Sequence, residues 1–216
     1  MNVTVTDFDS CILVSKDVYS CIYVDDILIT GKSNLVNQYI EQLQSSFKCN
    51  SVETSLLLGM QIETSTQHLK IHQQCYMTEI LEPFRMENCN PVNTPIEVIS
   101  ALKKTTDDET LCDQKLYQSI IGSQMYAATA TRPNIAYATH FLGQFSSKLT
   151  ETHLSAAKRV LRYLKGTITY SLTYKYDTCE IPLRIYSDSS FASNLTDRHF
   201  YTGLVIQTFG HTTIWR

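Results

Sequence analysis

The chain opens on short apolar runs cut by polar residues. Cys11–Val14, Cys21–Val24 and Ile27–Thr30 are each about four residues long, apolar or β-branched, and bounded by Ser, Asp or Gly, which is the pattern of strands. The polar stretch Ser15–Ser20 separates the first two, and only Asp25 and Asp26 separate the second from the third. That spacing predicts a β-hairpin with the acidic pair at its tip. Gly31 then breaks the strand, and Ser33 suits a helix N-cap. Leu35, Val36, Tyr39, Ile40, Leu43 and Phe47 recur at helical spacing, so a helix follows with one stripe packed on the sheet. Leu56–Ile62 and His68–Ile71, around the polar turn Glu63–Gln67, predict a second hairpin, and a helix runs from about Gln73 to Leu81.

From Cys89 to Glu109, Pro91, Pro95 and the run KKTTDDE read as an exposed connection. The pattern then turns helical over Asp113–Ala130, Pro133–Phe145 and Thr152–Leu164. In the last of these, Leu154, Ala157, Val160, Leu161 and Leu164 fall on one side and Lys158, Arg159, Arg162 and Lys165 on the other. Strands return at Tyr170–Tyr176, Pro182–Ser187, Gly203–Thr208 and Thr213–Trp215. A sheet that stops on "TTIWR" is expected to be cut short. Sheets and helices in separate blocks indicate an α+β chain.

Composition narrows the function classes. Two hundred and sixteen residues make one large domain or two small ones, and 43% hydrophobic against 18% charged excludes a disordered or coiled-coil protein. The first ten residues carry two acids and no base, unlike a signal peptide, and no apolar run approaches the roughly 18 residues that span a bilayer. A cytoplasmic or nuclear location is expected, with no secretion and no membrane partner. Seven cysteines, widely spaced and without a C-x-x-C pair, are expected to be reduced core thiols. The net charge of −3 does not mark a nucleic-acid binder, but Lys148–Gly166 holds five bases and one acid. Such a face is either simply solvated or a phosphate-contacting surface.

The acidic tip is the sharpest chemical feature. Adjacent carboxylates between apolar strands repel each other, and a hard divalent cation such as magnesium would relieve the repulsion while bridging to phosphate oxygens. Alone, an Asp-Asp turn is commonplace. Asp188, after a strand, is equally ordinary as a turn or cap residue.

In context, "YVDDILITG" followed by an amphipathic helix resembles the catalytic hairpin of reverse transcriptases. The ordered series "LLLGMQI", "CNPVNTPI", "YQSIIGSQMYAATATRPNIAYA", "LRYLKGT" and "IYSDSSFAS" is similar to the Pol polyprotein of copia-type long-terminal-repeat retrotransposons, across the end of reverse transcriptase and the start of ribonuclease H. The resemblance implies a partial palm with the YVDD hairpin over residues 1–82, thumb or connection helices over 83–169, and a truncated ribonuclease H-like α/β start over 170–216. It implies that Asp25 and Asp26 are catalytic, magnesium-binding carboxylates and that Tyr23 sits beside the primer terminus. Gly59 and Met60 would lie in a primer-gripping hairpin, and Lys158, Arg159, Arg162 and Lys165 would contact template–primer backbone. Asp188 resembles the first metal-binding aspartate of ribonuclease H. The family reaction is RNA-directed DNA synthesis from deoxynucleoside triphosphates on an RNA or DNA template–primer, within a virus-like particle.

The departures are as informative. The family's third polymerase aspartate and its fingers would lie upstream of Met1, and the later ribonuclease H acids beyond Arg216. Where the family reads D-W-A-G and R-R-S-T-S-G, this chain has Ser190-Phe191-Ala192-Ser193 and Arg198-His199-Phe200-Tyr201-Thr202-Gly203. The expectation is therefore a polymerase fragment that is inactive alone. The alternatives are a non-catalytic nucleic-acid-binding remnant and a decayed open reading frame.

Overall fold

The computed structural model describes residues 3–15, 17–52, 55–97, 113–176, 180–190 and 201–216. They form two compact units that divide after Leu57. In the first, β1 (Thr4–Val5), β2 (Ile12–Ser15), β3 (Val18–Tyr23) and β4 (Asp26–Gly31) make an antiparallel sheet in that order. Helix α1 (Ser33–Ser46) and the short strand β5 (Leu56–Leu57) follow. Alternation along β3 puts Val18 and Ser20 on the buried face and leaves Tyr19, Cys21 and Tyr23 exposed on the other. Tyr39 of α1 is buried on the first face, with its hydroxyl 3.4 Å from Ser20 Oγ.

Lys32, not Ser33, is the N-cap of α1. Its backbone N–H donates to Asp17 O at 3.1 Å and its Nζ to Asp17 Oδ2 at 2.8 Å, so the strand end is tied across to the preceding turn. Gly31 is required there: at φ 150° it lies so close to that turn that an added Cβ would stand 2.2 Å from Asp17 O.

The second unit begins with β6 (Met60–Thr64) and β7 (His68–His72), the expected hairpin, and α2 (Gln74–Glu79). Strand β8 (Leu172–Lys175) pairs with β7, from Ile71↔Leu172 to His68↔Lys175. Between them in sequence lie α3 (Gln114–Ala130), a 3-10 turn (Pro133–Ile135), α4 (Ala136–Gly143) and α5 (Glu151–Gly166). Pro133 thus opens a separate turn before α4, where one helix from Pro133 to Phe145 is expected. Ile120, Ala128, Leu142, Val160, Leu161 and Leu164 form the center of the core, each at 0% exposure. A leucine buried to that degree contributes about 1.5–3 kcal/mol by leaving water. Asp113 caps α3 by accepting from Leu116 N at 3.0 Å. Thr150 caps α5 in a reciprocal box with His153, where a capping box ordinarily has Glu or Gln.

The strands β9 (Leu183–Ser190), β10 (Tyr201–Thr208) and β11 (His211–Trp215) form a sheet in the order β11-β10-β9. Trp215 Nε1 donates to Ala128 O at 2.7 Å, and Gln144 Nε2 to Tyr201 Oη at 2.6 Å. These bonds and the β7–β8 ladder place elements from all three expected segments in one unit. Among the described residues no helix is long and apolar enough to cross a membrane. Cys11, Cys21, Cys49 and Cys75 are exposed rather than core thiols: the first three sit at a sheet face or loop and Cys75 on the outer side of α2. Cys112 and Cys179 lie outside the described residues.

Candidate functional site

Strands β3 and β4 pair from Val18↔Gly31 to Tyr23↔Asp26. The turn is therefore Val24-Asp25, and Asp26 is the first residue of β4 rather than half of the tip. A two-residue turn needs left-handed backbone to match strand twist, and Val24 supplies it at φ 53°. That conformation costs a β-branched residue about 1–2 kcal/mol. The hairpin holds Val24 81% exposed.

Asp25 and Asp26 are both exposed. Both line a cleft of about 230 Å³ along β4, the edge strand, with Ile27, Leu28, Ile40 and Leu43 among its apolar walls. Tyr23 is 58% exposed beside the turn. Adjacent hard-oxygen donors facing one open cleft suit a magnesium ion that keeps part of its water shell. Among the described residues no group of three His, Cys, Asp or Glu side chains is placed to hold a metal.

Leu58 and Gly59 are consecutive left-handed residues, at φ 50° and 70°, leading into Met60, the first residue of β6. Tyr126 of α3 donates its hydroxyl to Leu58 O in a very short hydrogen bond. A Cβ on Gly59 would stand 2.6 Å from that hydroxyl. Tyr126 is itself set by an edge-to-face contact with Tyr76, centroids 4.8 Å apart, and Tyr76 donates to Ser123 O at 3.0 Å. Burial pushes the Tyr76 phenol above its ordinary value.

The segment Cys89–Glu97, expected as an exposed connection, lies against α5, with Val92 and Ile96 packed on the core. Arg159 makes an ion pair with Glu97 at 2.5 Å and donates to Thr94 Oγ1 at 3.0 Å. Arg162 Nε donates to Asn90 O and Lys165 Nζ to Cys89 O, both at 2.7 Å. Lys158 has no such partner among the described residues. The rest of the expected connection, 98–109, lies outside them.

Residues 11–98 match the model of the reverse transcriptase (RNA-dependent DNA polymerase) family. An uncharacterized mitochondrial protein of Arabidopsis thaliana is 35% identical over 86% of this chain, which covers 77% of that protein. The retrovirus-related Pol polyprotein from transposon RE1 of Arabidopsis thaliana is 34% identical over 92% of the chain. That from transposon TNT 1-94 of Nicotiana tabacum is 32% identical over 90%. The chain belongs to the reverse transcriptase family of retrotransposon Pol polyproteins. It spans only 13% and 15% of those two polyproteins. No solved structure matches it.

The region matching the reverse transcriptase model contains the acidic hairpin, α1, the β6–β7 hairpin and the strap on α5. Asp188 lies outside that match, inside β9 opposite Gly203, and its Oδ1 accepts from Ser189 N at 2.9 Å. Sequence reasoning missed two kinds of residue. Tyr126 and Arg132 make long-range contacts, with Leu58 and Thr167, that no local spacing shows. Arg132 is 2% exposed and donates to Asn134 Oδ1 and to both the carbonyl and the hydroxyl of Thr167.

Proposed function

We propose that this chain supplies the acidic hairpin and part of the nucleic-acid surface of an RNA-directed DNA polymerase. The observation that carries the reading is the pair Asp25 and Asp26, exposed together on the cleft beside the β3–β4 turn. In that role the two carboxylates hold magnesium, which when bound supplies Lewis-acid stabilisation of phosphate charge during nucleotidyl transfer. Asp26 is held at the start of β4 by its pairing with Tyr23, and Asp25 precedes it in the turn, so the reading has both carboxylates lining the same cleft. Tyr23, exposed on the sheet face opposite α1, would lie beside the primer terminus. Lys158 and the unused donors of Arg162 and Lys165 would meet the sugar–phosphate backbone of a template–primer. Asp188 would be the first ligand of a ribonuclease H centre.

Two-metal transfer requires more carboxylates than this pair. The reading is therefore that the chain needs a further acidic ligand and a nucleotide-binding fingers region to polymerise. The test is primer extension by the purified 216-residue chain, alone and inside a longer Pol protein. Incorporation only in the longer protein, lost on Asp25→Asn, supports the reading. Template-dependent incorporation by the chain alone overturns its dependence on other segments. Activity of the longer protein that survives Asp25→Asn overturns the assignment of the site.

A further inference from the structure

The four cations of α5 occupy different environments, although the sequence presents them as one stripe. Residues 89–97 run antiparallel to the helix, with Cys89 at Lys165, Asn90 at Arg162, and Thr94 and Glu97 at Arg159. Gly166 permits this approach, since a Cβ there would already be 3.0 Å from Pro91 Cβ.

Arg159 is used up by this strap. Its two terminal nitrogens go to Glu97 and Thr94, its Nε is shut off from solvent, and its side chain is 21% exposed. Glu97 is the one acid of the strap and cancels the Arg159 charge. Arg162 and Lys165 are held differently. Each gives one donor to a neutral backbone carbonyl, which fixes the side chain and leaves the charge intact. The terminal nitrogens of Arg162 and the other two N–H groups of Lys165 have no partner among the described residues. Lys158, Arg162 and Lys165 stand at i, i+4 and i+7, a straight line about 10 Å long on the helix. Fixing a long cationic side chain in advance removes part of the rotamer entropy that binding would otherwise cost.

We infer that the strap sorts these cations: Arg159 is its internal clamp, while Arg162 and Lys165, pre-set by strap carbonyls, and Lys158, which the strap leaves unengaged, form a row for the phosphodiester backbone of a nucleic acid. This rests on the polymerase reading above and assigns contacts within that surface.

The test measures binding of the full chain to an RNA–DNA duplex as a function of salt, for the wild type and for Lys158→Gln, Arg159→Gln and Arg162→Gln. Each variant removes one positive charge, so a diffuse electrostatic attraction would weaken all three equally. The inference expects the slope of log K against log salt to become shallower by about 0.9 for Lys158→Gln and Arg162→Gln. Arg159→Gln should keep the wild-type slope and lower the melting temperature instead. If Arg159→Gln does not fold, Glu97→Gln tests the same point. It releases Arg159, and the slope should steepen by about 0.9. Equal slope changes in the three charge variants, or no change on Glu97→Gln, overturn the sorting while leaving the polymerase reading in place. A wild-type chain that binds no duplex at low salt overturns the nucleic-acid role of α5 altogether.

Discussion

Replacing Arg132 with methionine keeps most of the side-chain volume and removes every donor. The guanidinium lies 5.4 Å from the Tyr170 ring centroid and 5.9 Å from that of Tyr163, and bonds to three oxygens of Asn134 and Thr167. Hydrogen bonds to a charged group contribute about 1.5–3 kcal/mol each, which at the low end gives about 4.5 kcal/mol for three. Two cation–π contacts add about 1–2 kcal/mol. Against this, a buried charge carries several kcal/mol of desolvation, which methionine would relieve; burial also pushes the Arg132 guanidinium below its ordinary pKa. The contacts win by about 2–4 kcal/mol, because methionine also strands the Thr167 carbonyl and hydroxyl in the interior. At about 2–4 °C per kcal/mol, the melting temperature falls by roughly 4–16 °C. Urea unfolding followed by circular dichroism reads this as a lower midpoint at constant slope. Arg132→Lys should recover only part of the loss, since one ammonium cannot reach all three acceptors while covering two rings. Stability of Arg132→Met within 0.5 kcal/mol of wild type, about the error of such a comparison, would refute the reasoning.

Gly59→Ala should cost about 1–3 kcal/mol in urea unfolding, from its left-handed backbone and the Tyr126 hydroxyl. Tyr126→Phe in the same chain should return part of that cost, because it removes the clashing oxygen; strictly additive losses would show that the two do not interact. Val24→Gly should leave the first unit as stable as before or more so by up to about 1 kcal/mol, since the strain at φ 53° disappears; a clear loss would contradict the turn assignment. Burial raises the phenol pKa values of Tyr76, Tyr137 and Tyr174 above 10.0. A raised folded-state value stabilises fully below pH 10.0 and is lost as pH climbs through the folded values. Stability should therefore fall above about pH 10, and Tyr174→Phe should flatten that fall; a pH profile unchanged by the substitution would contradict it.

Much of the fold was readable because its periodicities are local. Phe47, expected on the α1 stripe, ends α1 in extended backbone and is exposed, but the stripe as far as Leu43, the β6–β7 hairpin and the two-sided pattern of α5 each follow from spacing alone. The exact turn was not, since Asp25-Asp26 and Val24-Asp25 are equally plausible tips until the cross-strand register is known. The strap is largely exposed, as its prolines and polar residues suggest, but its docking on α5 was not readable. Its carbonyls satisfy Arg162 and Lys165. Pairings across 72 and 76 residues leave no trace in local composition. The place of the acidic pair at the end of a hairpin was legible because two adjacent carboxylates interrupt two apolar strand patterns. The burial of Arg132 was not, because Thr167, which holds it, lies 35 residues further along the chain.

The central claim is that Asp25 and Asp26 form the metal-binding pair of a polymerase hairpin. Its most direct test is a manganese titration of the isotope-labelled chain, following paramagnetic broadening of backbone amides. The account predicts broadening centred on residues 23–27 at low manganese, abolished by Asp25→Asn and weakened by Asp26→Asn. Broadening centred elsewhere, or unchanged when both aspartates are replaced, would contradict it.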